Sequence, residues 1–566
     1  MCGIFFYCDT NPENFLLVKN SLSELTESIN SRGPDHHVLK TGHFKDQKWL
    51  SLNTVLAIRS PLDAPSKGLS SSDGVQTFLY NGESYEPNHR GFDDSIIFRG
   101  LVEENKFDST NYHHRGFFAF CALRYNLLAF GVDYLSEKAL FYSQFGSSFL
   151  ISSDISTITK ATTKLGKENK INRNKIQEYF CTRHLIQFRE TVYDNIKRCM
   201  PGQIYRFDLG QNRLSEKTTT SAVNDIYTHY NNMTLKNKNR QILSDFTDAY
   251  LHDATYDLFG RDDVSYVLSG GIDSTLVSCI AAKKARTLDE KIRTLTLQFG
   301  EKDLPSMKAE SISEEQGTKH LTHNVTIEEY KCALNDLYSK MMIPMPTHSF
   351  PSYHVLCALA KEQKSRLLIG GEGADEIYNG YTAYKELSES RGVRLGSLSP
   401  YSRVEDMFNL FEGSYNNQSD LVTAFEVISK LKKNEPSQNE STSLFLDAVI
   451  QLSSTGLFCS DQIGGLWGIE SRSPLANPLI ISARLKLFAA DLWGEVYDEK
   501  ELLRTKLGAL SPAWLKLGVQ KQGFSGFPND IFNDDQKAGF CRMVADFLGT
   551  SQSQLTKKMK DPALTW

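Results

Sequence analysis

Hydrophobic and polar positions divide the chain into two differently patterned halves. Up to about residue 208, short apolar runs of strand length dominate: CGIFFY, SLNTVLAI, VQTFLYN, GFFAFCAL, NLLAFGV, SSFLISS and QIYRFDL. Helical periodicity is confined to a stretch from about Phe15 to Ser31 and to the run DDSIIFRGLVEE. Strands that outnumber helices, without strict alternation, predict a layered α+β domain. After Asn239 the pattern changes. VSYVLSGG leads into an apolar-periodic helix, RTLTLQF follows, and a helix from Ser306 precedes SRLLIGG. This order predicts β-α-β units of a parallel sheet. From about Glu376 onward the pattern is mostly helical.

Between the halves, the stretch from Leu209 to Arg240 is polar and lacks apolar periodicity, as an interdomain linker would. The expected division is therefore a first domain over 2–208, a linker over 209–240 and a second domain over 241–566. A length of 566 residues exceeds what one ordinary core serves, in keeping with two domains. The polar segment Lys432–Ser443 reads as a loop in the second half, and the tail SQSQLTKKMKDP as peripheral.

Composition narrows the function classes. With 40% hydrophobic and 23% charged residues the chain reads as a soluble globular protein. A net charge of -5 with dispersed basic residues argues against nucleic acid and against a polybasic membrane anchor. No apolar stretch approaches a membrane span, and MCGIFFYC lacks the features of a secretory signal. The ten cysteines form neither C-x-x-C pairs nor zinc-spaced clusters, so a cytoplasmic setting is expected.

Cys2 is the first candidate for chemistry. If Met1 is removed, Cys2 carries both a thiol and a free α-amine. The thiol can attack an amide carbonyl while the amine, with a pKa of ~7.7–8.0, takes the proton. Asn81-Gly82 at the end of a strand offers an amide donor and a backbone N–H, the groups an oxyanion hole needs. Arg59 can clamp a carboxylate bidentately, and Glu83 and Asp94 can hold an ammonium, which matches the head group of free glutamine. Each alone would be an ordinary terminus, turn or solvated charge.

The second candidate is Leu268-Ser269-Gly270-Gly271-Ile272-Asp273-Ser274, between a strand and a helix. Its glycines let backbone N–H groups approach an anion at a helix N-terminus, its serines supply hydroxyls, and Asp273 can hold Mg²⁺ against phosphate oxygens. The segment is neither a Walker A loop nor a dinucleotide fingerprint. Gly370-Gly371-Glu372-Gly373-Ala374-Asp375-Glu376 is a second glycine-rich turn between strand and helix. Strand ends of an open parallel sheet converge on one crevice, which makes Asp375 the second expected Mg²⁺ ligand.

These motifs carry a resemblance. Cys2-Gly3-Ile4, Arg32-Gly33-Pro34-Asp35, Asn81-Gly82-Glu83, Asp94 and Gly116-Phe117-Phe118-Ala119-Phe120 resemble the class II glutamine amidotransferase domain. The S-G-G-x-D-S loop resembles that of ATP-pyrophosphatases. With Asp461, Trp467 to Pro474, Lys500 to Arg504, and Lys521-Gln522-Gly523-Phe524 with Pro528, the likeness extends over about residues 2 to 530. It is to the glutamine-hydrolysing asparagine synthetases.

The resemblance implies an αββα N-terminal-nucleophile hydrolase sandwich, followed by an α/β ATP-pyrophosphatase domain with a helical C-terminal part. It implies Cys2 as nucleophile, Asn81 and Gly82 as oxyanion hole, and Arg59, Asn81, Glu83 and Asp94 around glutamine. Leu268 and Leu297 would surround adenine. Ser269, Gly270, Gly271, Asp273, Ser274, Gly371 and Glu372 would meet the rest of ATP. Lys500 would neutralise the phosphates, with Lys521 assisting. The implied chemistry is adenylation of a small carboxylate and attack by glutamine-derived ammonia. ATP and Mg²⁺ are the implied cofactors, and a homodimer is left open.

Two departures bear on that expectation. The family's R-D-x-x-G turn is Val132-Asp133-Tyr134-Leu135-Ser136, which puts the course of the ammonia passage in question. The segment Ser339–Pro351 lacks the acidic residue that the family carries near the acyl-adenylate, and P-F-L-D becomes Pro474-Leu475-Ala476-Asn477. Aspartate is the default acceptor. The alternatives are a sugar acid or a secondary-metabolite acid, with His348 as a candidate base, or a non-catalytic scaffold.

Overall fold

The structure is a computed structural model. It describes residues 2–58, 75–85, 94–103, 116–173, 175–176, 189–216, 240–255, 258, 261–301, 303–343, 349–378, 380–381, 448, 451–478, 480–481 and 500–517. Arg59, the segment 344–348 with His348, and Lys521 lie outside these residues.

The first half contains β1 (Gly3–Asp9), β2 (His36–Phe44), β3 (Gln47–Val55), β4 (Val75–Ser84), β5 (Gly116–Arg124), β6 (Leu127–Val132), β7 (Phe141–Phe145), β8 (Ser148–Ser152), β9 (Lys197–Arg198), β10 (Ile204–Asp208) and β11 (Arg213–Glu216). They form two sheets, β2-β3-β1-β8-β7-β9 and β11-β10-β6-β5-β4, with antiparallel pairing throughout. Ile4, Phe6, Trp49 and Phe149 of the first sheet meet Leu79, Cys121, Phe130 and Phe207 of the second in one buried core. Period-2 alternation sends the neighbouring side chains outward. Phe5, Tyr7, Leu50 and Leu150 pack against Phe15, Val18 and Ile29 of the helical stretch, while Phe78, Tyr80 and Phe120 cover Phe98 of the helix Asp94–Glu103. The result is the expected αββα layering.

Two expectations change here. The helical pattern from Phe15 to Ser31 is three pieces, Pro12–Asn20, Leu22–Leu25 and Glu27–Arg32, and Asn11 caps the first by accepting from Glu13 and Asn14 N–H. The linker cannot begin at 209. Leu209 is in the core and the hairpin carries β11 to Glu216, paired in register with β10.

The second half is built on β12 (Val264–Val267), β13 (Arg293–Gln298), β14 (Lys319–Asn324), β15 (Leu367–Ile369) and β16 (Glu470–Arg472). Their order is β14-β13-β12-β15-β16, all parallel. The helices Ile272–Arg286 and Glu501–Leu510 supply one face. Ile327–Met341, Ser349–Glu362 and Gly456–Trp467 supply the other. Doubly covered parallel strands must be apolar on both sides, hence runs such as LLI. The helix Gly456–Trp467 also packs against Glu27–Arg32, joining the halves. Among the described residues, no helix is long and apolar enough to cross a membrane.

Candidate active site

Strand β1 presents Cys2 at its leading edge, and polar side chains from three segments hold it there. Cys2 N–H donates to Asn81 Oδ1 at 2.8 Å, Gly3 N–H to Thr54 Oγ1 at 3.0 Å and Ile4 N–H to Ser153 Oγ at 2.9 Å. Asn53 links both sheets: its Nδ2 donates to Gly3 C=O at 2.9 Å and its Oδ1 accepts from Tyr80 N–H at 2.8 Å. Thr54, Asn53 and Ser153 were invisible as site residues in the sequence because each sits inside a strand or turn that reads as structural.

Asn81 is wholly buried, and its Nδ2 has no partner among the described residues. A buried amide donor left over is costly unless something accepts from it. Gly82 is required by close approach, since a Cβ there would lie 2.4 Å from Phe117 C=O on β5. Burial pushes the Cys2 thiol up, and Glu470 adds to this, while Arg32 pulls it down. Arg32 Nε reaches Cys2 C=O at 3.4 Å.

The expected ammonium ligands are placed differently from one another. Asp94 opens its helix, is buried, and accepts from Ser84 N–H at 3.1 Å, tying the helix to the end of β4. Glu83 carries a partner that the sequence did not announce. Its carboxylate is joined by the guanidinium of Arg472 from the second half, and both side chains are buried. Arg472 also holds Glu470 at 2.9 Å. Asp35 likewise spans the halves, accepting from Arg366 and from Ala57 N–H at 2.7 Å.

The departure at Val132–Ser136 is organised by Asp133. Its carboxylate accepts from the backbone N–H groups of Leu135, Glu137, Lys138 and Phe118, all at 3.0–3.2 Å. Burial nevertheless raises its pKa to about 6. Ser136 takes a left-handed φ of 50° where the family pattern has glycine.

The second site is a cavity of about 340 Å³ at the C-terminal ends of the parallel strands, and both glycine-rich loops line it. Gly270 has φ 72°, and a Cβ there would meet Pro305 C=O at 2.5 Å. Ser269 N–H donates to Ser274 Oγ at 3.1 Å, folding the first loop around its hydroxyls. The loops abut, because a Cβ on Gly371 would lie 2.6 Å from Ser274 N. Glu372 lies in the pocket, accepts weakly from Ser473 Oγ at 3.5 Å, and is raised by burial and by Asp273. Leu268 and Leu297 are buried in the two cores on either side of the sheet, and Val267 lines the cavity. Lys308, Tyr353, Tyr381 and Gln451 also line the cavity without having been legible in the sequence, and Arg504, from the Lys500 to Arg504 segment that carries the resemblance, joins them.

Lys500 adopts a left-handed φ of 56° just before the helix Glu501–Leu510, which turns its side chain into the cavity. Its Nζ lies 2.6–2.7 Å from both Asp273 oxygens and 2.8 Å from Asp375 Oδ1. Burial would lower this ammonium, but Asp273 and Asp375 outweigh it and raise its pKa. Two carboxylates thus converge on one cation position.

Two family models match the chain. The asparagine synthase family matches residues 250–558, more than half of the chain, and the glutamine amidotransferase domain matches residues 1–218. The chain belongs to the glutamine-hydrolysing asparagine synthetase family. As a member of that family it is an amide ligase, with a glutaminase half of N-terminal-nucleophile type and an ATP-pyrophosphatase half. "Asparagine synthetase [glutamine-hydrolyzing] 3" of Bacillus subtilis is 24% identical over 74% of this chain and 69% of its own length. Asparagine synthetase B of Escherichia coli is 29% identical over 30% of this chain and 32% of its own. Putative asparagine synthetases of Mycobacterium tuberculosis are 25% identical, and this chain spans 37% of their length. Among solved structures, the glutamine phosphoribosylpyrophosphate amidotransferase of B. subtilis overlaps 57% of this chain and 81% of its own, at 10% identity and a TM-score of 0.24.

Proposed function

We propose that this member of the family cleaves glutamine at Cys2 and uses the ammonia to amidate a carboxylate adenylated in the second half, with aspartate the default acceptor and asparagine the product. The carrying observation is the pairing of Asn81's unpartnered buried Nδ2 beside Cys2 with a cation held between Asp273 and Asp375 at the loops of the second cavity.

In the glutaminase half, residues 2–208 with the hairpin to 216, Cys2 Sγ attacks the glutamine amide carbon. The α-amine, free once Met1 is removed, takes the thiol proton and returns it to the leaving ammonia. Asn81 Nδ2 and Gly82 N–H stabilise the oxyanion. Asp94 with Arg59 holds the head group, and Glu83 contributes only while shared with Arg472.

In the synthetase half, Ser269, Gly270, Gly271 and Ser274 cradle the phosphates of ATP. Gly371 and Glu372 form the facing wall. Asp273 and Asp375 are hard oxygen donors suited to Mg²⁺, which would supply charge neutralisation at the pyrophosphate. Lys500 then turns from the carboxylates to the phosphates, and Lys521 assists. The acceptor carboxylate attacks the α-phosphorus, pyrophosphate leaves, and ammonia displaces AMP from the mixed anhydride. Glu372, a pocket carboxyl with a raised pKa, takes the proton of the incoming amine in place of the acid absent from the upstream segment.

The test is pyrophosphate release over a panel of carboxylates, with glutamine or ammonium chloride as donor. Aspartate is expected to turn over, and Cys2→Ala is expected to lose the glutamine-driven reaction while keeping the ammonium-driven one. Turnover with a sugar acid and none with aspartate would replace the acceptor. Glutamine cleavage surviving in Cys2→Ala would overturn the nucleophile.

A further inference from the structure

A single three-turn helix of the synthetase half, Gly456–Trp467, touches both sites. Its first turn lines the nucleotide cavity through Gly456 and Cys459, with Thr455 just before it. Two residues beyond Cys459, Asp461 accepts both hydrogen bonds of a bidentate pair with Arg32 Nη2, at 2.7 and 2.9 Å, and the two side chains are completely buried. Arg32 Nη1 also reaches Asp461 C=O at 3.4 Å, and Arg32 Nε reaches Cys2 C=O at 3.4 Å. Lys138 Nζ stands 3.6 Å from the same carboxylate.

The rest of the helix is shaped for this contact. Gly465 has no room for a side chain, since a Cβ would fall 2.6 Å from Arg32 Nη1 and 2.9 Å from Arg32 Cγ. Ser31 Oγ donates to Gly465 C=O at 3.2 Å, and Gly468, left-handed at φ 64°, lets the helix end against Ser31 C=O. The segment bearing Arg32 is therefore clamped to the synthetase helix by charge, by backbone and by the absence of a Cβ.

We infer that Asp461 is a positioning residue for glutamine cleavage: through Arg32 it fixes the residue bearing the nucleophilic thiol. The helix that carries it then reports filling of the nucleotide cavity to Cys2. Packed helices move as units, so a ligand pressing on Gly456 and Cys459 bears on Asp461 within two turns. This inference rests on the functional reading above, in which Cys2 cleaves glutamine and the cavity takes ATP.

The test measures glutaminase kinetics with and without ATP and the acceptor carboxylate, in wild-type, Asp461→Asn and Gly465→Ala protein. Asp461→Asn removes the charge with little change of shape, and Gly465→Ala displaces the guanidinium with Asp461 intact. Both are expected to lower kcat for glutamine at least about tenfold while KM moves less than about threefold, the mark of an interaction that orients the reacting group. Both are expected to lose any response of glutamine cleavage to ATP and acceptor. Ammonium-driven synthesis is expected within about twofold of wild type, reporting an intact synthetase fold. Wild-type kcat and wild-type ATP response in either folded variant would overturn the inference. If Asp461→Asn does not fold, Gly465→Ala decides. Wild-type protein that neither cleaves glutamine nor forms pyrophosphate would instead remove the functional reading beneath it.

Discussion

Asn81 divides its amide between two tasks. Its Oδ1 accepts from Cys2 N–H, which fixes the ring of atoms around the nucleophile, and this leaves Nδ2 as a buried donor without an acceptor. Hydrogen bonds of that kind are strongest toward developing negative charge in a water-poor site. Asn81→Ala is expected to cut glutamine cleavage by roughly 10²–10³ in kcat, with ammonium-driven synthesis retained. Parallel assays of glutamate and of pyrophosphate check this; a loss below about fivefold would remove Asn81 from the oxyanion hole. Asp133 offers a contrasting case. Burial lifts its pKa to about 6 although four backbone N–H groups donate to it. An ordinary carboxyl titrates near 3.9 when unfolded, so the folded state favours the protonated form. Its contribution to stability is full below pH ~3.9 and is lost as pH rises through about 6. Relative to Asp133→Asn, the wild-type unfolding free energy is expected to fall across that window, as urea titrations at pH 4 and pH 7 would record.

At the scale of elements, two loops at the carboxyl ends of inner strands β12 and β15 create the candidate nucleotide site, and glycine is what lets the loops meet. Gly371→Ala places a Cβ against Ser274 N and the Asp273 backbone, which pushes the two loops apart where their carboxylates must share one cation. Pyrophosphate release is expected to fall at least about tenfold, with glutamine cleavage measured without ATP and acceptor unchanged, because the strands that carry the loops remain paired. Much of this arrangement was legible in advance. The seven apolar runs of the first half all became strands, and the strand–glycine–helix order of the second announced a parallel sheet with loops at its carboxyl end. Strands β2 and β16 had no apolar signature. β2 is an edge strand whose side chains alternate between half-buried and exposed, so HHVLKTGHF never forms an apolar run. β16 reads as the polar tripeptide ESR, yet all three residues are buried, since Glu470 and Arg472 satisfy one another and Glu83. Leu268 and Leu297 belong to the sheet's two cores, because an apolar residue at a strand end serves packing before it serves a ligand.

At the scale of the whole molecule, the halves are joined by buried charges whose partners lie hundreds of positions apart, and no local pattern could announce them. Glu83 and Arg472 are separated by 389 residues, Arg32 and Asp461 by 429. Such pairs add little to stability relative to apolar packing, but breaking one strands an uncompensated charge. The arrangement around Arg472 makes the two partners unequal. Arg472 serves Glu83 and Glu470 together, so Arg472→Met takes one guanidinium from two buried carboxylates and is expected to cost about 3–5 kcal/mol. Glu83→Gln leaves Arg472 with Glu470 and keeps an amide oxygen as acceptor, so its expected cost is about 1–3 kcal/mol. The charge removed by Arg472→Met also lies at the seam between halves, one residue from Ser473 and its contact with Glu372, while Arg472 C=O accepts from Gly370 N–H. Its loss should therefore loosen the nucleotide loop as well as the seam. Urea denaturation followed by intrinsic fluorescence is expected to split into two transitions in Arg472→Met and to stay single in Glu83→Gln. Equal destabilisation by the two substitutions would mean that the Glu470 pair adds nothing to the role of Arg472, and a single transition in Arg472→Met would mean that this charge does not bind the halves into one cooperative unit.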